Sequence, residues 1–389
     1  DADISASGGN DKTTYFLSAA YQKNEGILVA NDLQKFNFRN NISTKISDMF
    51  LVGMNLSFSR SSILRNTSDN SFTTPLQAVA QAPISPARNA DGTANTATQY
   101  VNFLAALDNQ SNETIIRRVT GKFFGELKLA KGLKFNSDVL YDLHSQTQDN
   151  WYGANYPFIA TDGEVFAAAV NNESYTLSNY FTYDKTFGEA HNLNVVAGHE
   201  FTSFSSRYQD VTSIYFPSDN FQTIDGGAEI INGSGSETDY AFDSFFARAS
   251  YSYNNKYLFK ASIRRDGSSR FGENKRYGIF PAVSAGWVIS EEDFLKDNSV
   301  ISNLKLRASY GETGNAEIGN FQSRSLYSMA AYDTKAGLLP TQPGNNDLTW
   351  EKSKQLDLGI DYGFLNNRIT GEIDYYNKRT DGLLFNVPL

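Results

Sequence analysis

The residues best equipped for chemistry lie in one run, Arg264-Arg265-Asp266-Gly267-Ser268-Ser269-Arg270-Phe271. Guanidinium groups among glycine and serine suit a phosphate cradle, but the run lacks the P-loop pattern and no helix-forming segment follows it. A hairpin tip whose Arg and Asp side chains pair across a rim is the plainer reading. Asp266, Glu273 and Asn274 offer the hard oxygen ligands that suit calcium. His199-Glu200 has the composition of a metal or acid–base pair, yet only His144 and His191 exist besides, and none stands at ligand spacing from another. No nucleophile motif of the G-x-S-x-G type occurs, and Glu351 and Asp357 merely alternate along a strand-like pattern. Neither catalysis nor a resident metal or cofactor is expected.

Trp151, Tyr152, Tyr156 and Phe158 cluster in what reads as a long loop. Such rings stack on sugars or grip peptide side chains, or they form a loop's own small hydrophobic cluster. With Arg264 they are the candidate ligand contacts.

These residues must be positioned by strands. From Tyr257 to Ile263 the odd positions are apolar (Tyr257, Phe259, Ala261, Ile263), while Lys260, Ser262 and Arg264 carry polarity on the even ones. Strand side chains alternate between two faces, so this segment has one apolar and one wet face. Val283, Ala285 and Trp287 resume the apolar set, and Leu304, Leu306, Ala308 and Tyr310 interleave with Lys305, Arg307 and Ser309. The alternation test finds about fourteen strands. Short helices are expected at Pro75–Ala80 and near Val101–Leu107.

Composition narrows the class. The chain has 389 residues, a net charge of −9, no cysteine, 22 Tyr and 28 Phe, and a mean hydropathy of −0.43. Abundant aromatics in a polar chain suit strands that are apolar on one side only. No run of about 18 apolar residues exists, which excludes a transmembrane helix but not a barrel, whose signal is alternation. The acidic balance argues against nucleic acid as a partner. Without cysteine, no disulfide framework or thiolate site is available.

The connections are more telling than the strand count. Short turns near 10, 47, 131, 188, 255 and 366 alternate with longer excursions through 25, 61–113, 143–172, 203–240, 266–279 and 311–349. In an up-and-down sheet every second connection lies at the same end, so tight turns gather at one end and loops at the other, the sidedness of an outer-membrane barrel. The polar face carries Lys122, Glu126, Lys134, Asp138, Lys260, Arg264, Lys305, Arg307, Asp357 and Glu372. Such charges are costly in a dry core and at ease against a wet lumen. Tyr21, Tyr183, Tyr253, Tyr257, Trp287, Tyr310 and Tyr362 fit interfacial girdles near strand ends.

Four long motifs then match one family: SASGGNDKTTYFLSAAYQKNEGI (5–27), LFKASIRRDGSSRFGENKRYGIFPAVSAGWVISEEDFL (258–295), NLKLRASYGETGN (303–315) and LTWEKSKQLDLGIDYGFLNNRITGEIDYYNKRTDGLL (348–384). They resemble SusC/RagA-type transporters, TonB-linked outer-membrane proteins of Bacteroidetes. The resemblance implies an all-β, antiparallel up-and-down transmembrane barrel, a fragment of one with about 22 strands that surrounds a plug. Residues 1–389 would be a partial barrel domain, with plug and C-terminal strands outside this chain. Asp1 begins almost inside a strand and Val387-Pro388-Leu389 stops without a terminal cap, which suits a fragment. The implied activity is active import of glycans, oligosaccharides or peptides. The implied partners are a SusD-like surface lipoprotein, TonB–ExbB–ExbD through a segment outside this chain, and outer-membrane lipid.

Two other readings compete: an extracellular β-rich binding or adhesion module with its apolar faces buried between two sheets, and a closed barrel of about fourteen strands acting as a diffusive porin. Partitioning separates the module from either membrane protein. A barrel wall stays in the detergent phase on phase separation, and recovery in the aqueous phase would establish the module instead.

Overall fold

The computed structural model describes residues 1–66, 77–296, 298–333 and 335–385. The alternating segments are strands: β1 (Ala2–Gly9), β2 (Thr13–Glu25), β3 (Asp32–Lys45), β4 (Phe50–Leu64), β5 (Gln110–Ala130), β6 (Leu133–Tyr152), β7 (Glu164–Phe187) and β8 (His191–Ile214). They continue as β9 (Glu229–Tyr253), β10 (Tyr257–Ser268), β11 (Tyr277–Val288), β12 (Ile301–Asn315), β13 (Leu326–Tyr332), β14 (Lys335–Gln342), β15 (Glu351–Phe364) and β16 (Ile369–Asp381). Two short helices, α1 (Gln77–Ala80) and α2 (Phe103–Asp108), lie between β4 and β5. They answer the two helix expectations, of which Pro75 and Leu76 lie outside the described residues, as do Val387–Leu389.

Fourteen strands form one antiparallel sheet in chain order, β1 through β12 and then β15 and β16. The hairpin β13–β14 stands apart in the β12–β15 connection. Among the described residues β1 and β16 are edges that do not pair with each other, so the fourteen-stranded closed porin does not hold. Nor does the sandwich, which needs two facing sheets.

The tight turns owe their geometry to residues that tolerate positive φ. Asn254 and Asn255 (φ 50° and 56°) join β9 to β10, the Asn-rich left-handed pair that matches hairpin twist. Asn366 and Asn367 do the same between β15 and β16.

The register sorts every side chain to a face. Tyr257, Phe259, Ala261 and Ile263 stand opposite Tyr253, Tyr251, Ala249 and Ala247 on one side and Trp287, Ala285, Val283 and Pro281 on the other. This face is uncovered: Phe259 is 50% exposed and Val283 55%. On β9 the apolar outer band runs from Tyr253 to Phe245, which matches the roughly 9–11 residues a strand needs to cross a bilayer. The charged residues named above occupy the opposite face, as the sequence pattern requires.

The sheet departs from expectation beyond that band. Strands β7, β8 and β9 have 24, 24 and 25 residues, so β9 is about 80 Å long at ~3.3 Å per residue. The excursions expected at 143–172 and 203–240 are therefore mostly strand, and only residues 153–163 and 215–228 connect. Their outer faces turn polar past the membrane, with Ser203, Ser205 and Arg207 on β8 opposite Ala241, Asp239 and Glu237 on β9. Apolar alternation stops there, although backbone pairing does not.

At the turn side, rings form a ladder. Tyr253 stacks near Tyr257 (6.2 Å) and Tyr257 near Trp287 (6.5 Å). Glu292, in the β11–β12 connection, accepts hydrogen bonds from the Tyr257 hydroxyl (2.6 Å) and Trp287 Nε1 (3.0 Å). The Tyr257 bond, then that of Trp287, holds the Glu292 carboxyl below the usual carboxylate range. A depressed folded-state pKa gives stability present above the unfolded value and lost as pH falls through the folded one. Glu292→Ala should lower the melting temperature at neutral pH, with the deficit shrinking in acid. A pH-independent deficit would mean the carboxylate charge plays no part.

Candidate functional site

The loop side of β9–β15 is closed by a buried aromatic knot. Phe271 (1% exposed), Phe280, Ala316 and Trp350 form a core supplied by strand β11 and by the segments that follow β10, follow β12 and precede β15. The Trp350 ring lies 5.0 Å from that of Phe271 and 5.2 Å from that of Phe280, and its Nε1 donates to the Arg276 carbonyl at 2.7 Å. A Cβ on Gly314 would overlap both Phe280 and Trp350, so only glycine admits this packing. Arg270 binds the connections together: Nε donates to Asn320 Oδ1 (2.7 Å), Nη1 to the Ala316 carbonyl (2.9 Å), and the guanidinium lies 4.1 Å from the Tyr240 ring. Much of the arginine-rich run is thus committed to structure.

Arg264 belongs to the inner face. It donates to Glu200 Oε1 at 3.0 Å and to Asp266 Oδ1 at 2.5 Å, the paired tip expected from sequence. Asp266 is therefore engaged by a cation, in a position where calcium ligation would compete with it. His199 and Glu200, adjacent on β8, point to opposite faces: His199 contacts Asp243 on the outer one (2.5 Å) and Glu200 meets Arg264 on the inner. They share no site.

The aromatic group is only partly brought together. Trp151 and Tyr152 lie at the end of β6 rather than in a loop, and as neighbours on a strand they face opposite ways. Tyr152, Tyr156 and Phe158 do meet, with ring centroids 4.7 Å and 5.5 Å apart. Tyr156 is buried and Phe158 exposed. Val165 and Phe216 are buried beside the same connections, which are joined by Phe216 N donating to the Asp162 carbonyl (2.6 Å). Gly163, at φ +87°, makes the turn against Phe216. Burial pushes the Tyr152 hydroxyl up to about 12 and raises the Glu164 carboxyl. Tyr152 therefore remains a hydrogen-bond donor at neutral pH.

The inner face elsewhere is a lattice of cross-strand ion pairs: Lys122–Asp138 (2.9 Å), Lys134–Glu126 (3.0 Å) and Arg118–Asp142 (3.0 Å). Arg307 on β12 reaches across β15 to Asp374 on β16 (2.7 Å), meeting Asp361 on the way (2.9 Å). A Cβ on Gly359 would stand 2.6 Å from its guanidinium, so glycine clears the path.

A sheet with one face of paired ions and one bare apolar face is a barrel wall, and the comparisons agree. The family described as TonB dependent receptor-like, beta-barrel, matches residues 59–389. The chain belongs to this family. It is 39% identical over 295 residues to TonB-dependent receptor P39 of Formosa agariphila, covering 74% of this chain and 28% of that protein. It is 46% identical over 154 residues to TonB-dependent receptor SusC of Bacteroides thetaiotaomicron, covering 38% and 15%. It superposes on the RagAB peptide transporter with a TM-score of 0.86 at 27% identity, covering all of this chain and 45% of that one. The chain thus spans less than half the length of each of these relatives.

As a TonB-dependent receptor β-barrel of SusC/RagA type, the chain lies in the outer membrane. Its charged face is the lumen wall and its apolar face the lipid surface. Sequence reading missed one lumen feature. Gln110, Asn112 and Thr114, alternate residues of β5, face inward and leave side-chain oxygens buried without a hydrogen-bond partner among the described residues. The buried Ala105 and Ala106 of α2 lie in the preceding connection. The signal available was the polar alternation of 110–114, masked by the absence of apolar residues opposite it.

Trp350→Ala should cost about 3–5 kcal/mol of stability, the usual range for deleting a buried large aromatic side chain. Limited proteolysis would then cut residues 317–349 faster than in the parent receptor. Unchanged cleavage would show that the knot does not hold this connection.

Proposed function

We propose that this chain is the central wall of a receptor that actively imports polar oligomers, peptides or oligosaccharides, across the outer membrane. Residues 1–389 are on this reading one partial barrel domain. Further strands pair with the β1 and β16 edges to complete about 22, around a plug. A SusD-like lipoprotein covers the loop side, and TonB–ExbB–ExbD supplies energy through a segment outside this chain. The observation that carries the reading is the lumen wall itself. Most of its cations on β5, β6 and β12 are met by carboxylates of the same or neighbouring strands, while Lys260 and Arg248 have no such partner among the described residues, so cargo passes a hydrated and largely charge-balanced surface. SusC/RagA-type relatives, including a peptide transporter that matches the whole chain, support the same reading.

Phe158 is the contact proposed for cargo, with Tyr152 and Tyr156 supporting its ring. Arg264 and Trp151, the first ion-paired and the second facing away, contribute through the wall. In cells expressing the full receptor, Phe158→Ala should reduce uptake of the fluorescent peptide or oligosaccharide that the receptor carries by roughly threefold to tenfold, as for loss of ~1 kcal/mol of ring contact. Receptor abundance should stay constant. Uptake that survives loss of the proton gradient would overturn active import, and uptake unchanged by Phe158→Ala would move the cargo site elsewhere.

A further inference from the structure

The lipid-facing side of β4 and β5 carries a feature that the import reading does not use. Along β4 the outward residues Phe50, Val52, Met54, Leu56 and Phe58 are apolar, and the next outward residue is Arg60. Its direct partner on β5 is Arg117. Both side chains are exposed. Among the described residues neither guanidinium has a hydrogen-bonded, ionic or ring partner. Like charges directly opposite one another destabilise an antiparallel pair, so the arrangement calls for an anion between them.

The other outward cations beyond the apolar band differ. Arg207 pairs with Glu237 (3.0 Å), Lys354 and Arg379 with Asp381 (3.3 and 3.0 Å), and Lys23 with Glu25 (2.5 Å). Arg265 lies over the Tyr277 ring at 3.8 Å. Among the described outward residues, only across β4 and β5 are two cations set face to face with no carboxylate between them.

Their level in the membrane identifies the anion. Phe36, opposite Arg60 on β3, is 41% exposed on the same face, and the next outward residues on β3 and β4 are the polar Gln34 and Ser62, so on these strands apolar surface reaches Arg60 and ends. The pair therefore stands at headgroup height on the loop side. From Arg117 a groove of about 550 Å³ leads away from the membrane between Ile115, Thr147, Ala167 and Val211, with Asp149 lining it as well. Guanidinium groups take phosphate oxygens by paired charge-assisted hydrogen bonds. Asp149 and Thr147, four and two residues beyond Ser145, the cross-strand neighbour of Arg117, accept from or donate to hydroxyls rather than phosphate.

We propose that Arg60 and Arg117 hold the phosphate of an outer-leaflet phosphoglycolipid, whose sugar lies in the groove above and whose acyl chains lie on the Phe58 side. The site rests on the outer-membrane placement of this face but not on any cargo.

The test uses the full receptor purified in a neutral detergent and exchanged with lipid A, either phosphorylated or enzymatically dephosphorylated. Bound lipid is counted by native mass spectrometry. The expected result is at least tenfold greater retention of the phosphorylated form, lost in Arg60→Gln/Arg117→Gln and retained in Arg60→Lys/Arg117→Lys. Millimolar inorganic phosphate should not displace the lipid. Equal retention of both lipids, or a preference that survives the double glutamine variant, overturns the site. Displacement by inorganic phosphate assigns the pair to free anions and overturns the lipid. Heat-modifiable migration on gels confirms that each variant is folded, and peptide or oligosaccharide uptake remains a separate readout, so failure of either reading leaves the other standing.

Discussion

Backbone pairing without water governs this structure. In the hydrocarbon region an unpaired N–H or C=O costs several kcal/mol, so each strand must have a neighbour on both sides. From β2 to β15 every strand of the large sheet has two, and the register is continuous apart from bulges at Lys128/Ala130, Thr212/Ser213 and Ile301/Asn303. All three lie near strand ends, clear of the apolar band. The side chains decide which way the sheet faces; the backbone decides that it is a sheet.

The two faces solve different problems. On the lipid side nothing may be charged within the band, and polarity returns only where strands outgrow it. On the lumen side charge is permitted, and much of it is neutralised locally, strand to neighbouring strand. Because these pairs remain partly exposed to solvent, each contributes only modestly to stability. Their larger effect is on the surface a solute meets, which is polar and balances part of its charge within the wall.

The alternation of Tyr257–Ile263 or Leu304–Tyr310 made the strands, their faces and the turn sides readable, since a period of two needs only one wet and one apolar side. It could not show where strands end. Residues 143–149 and 203–210 are mostly polar on both faces, and such a segment looks the same as a loop. The site suffered from the same parity: Trp151 and Tyr152, or His199 and Glu200, are neighbours in sequence that the sheet sends in opposite directions. Tyr156 and Phe158 fared better, because a connection is free of that rule. The roles of Arg270 and Gly314 depend on partners some 30 to 50 residues away, which no local pattern encodes.

Arg270 and the Trp350 knot have a dynamic consequence. The β10–β11 tip, the end of β12 and the approach to β15 share one buried core, so none can swing without opening it. Motions of these three segments are thereby slowed to the timescale of local unfolding.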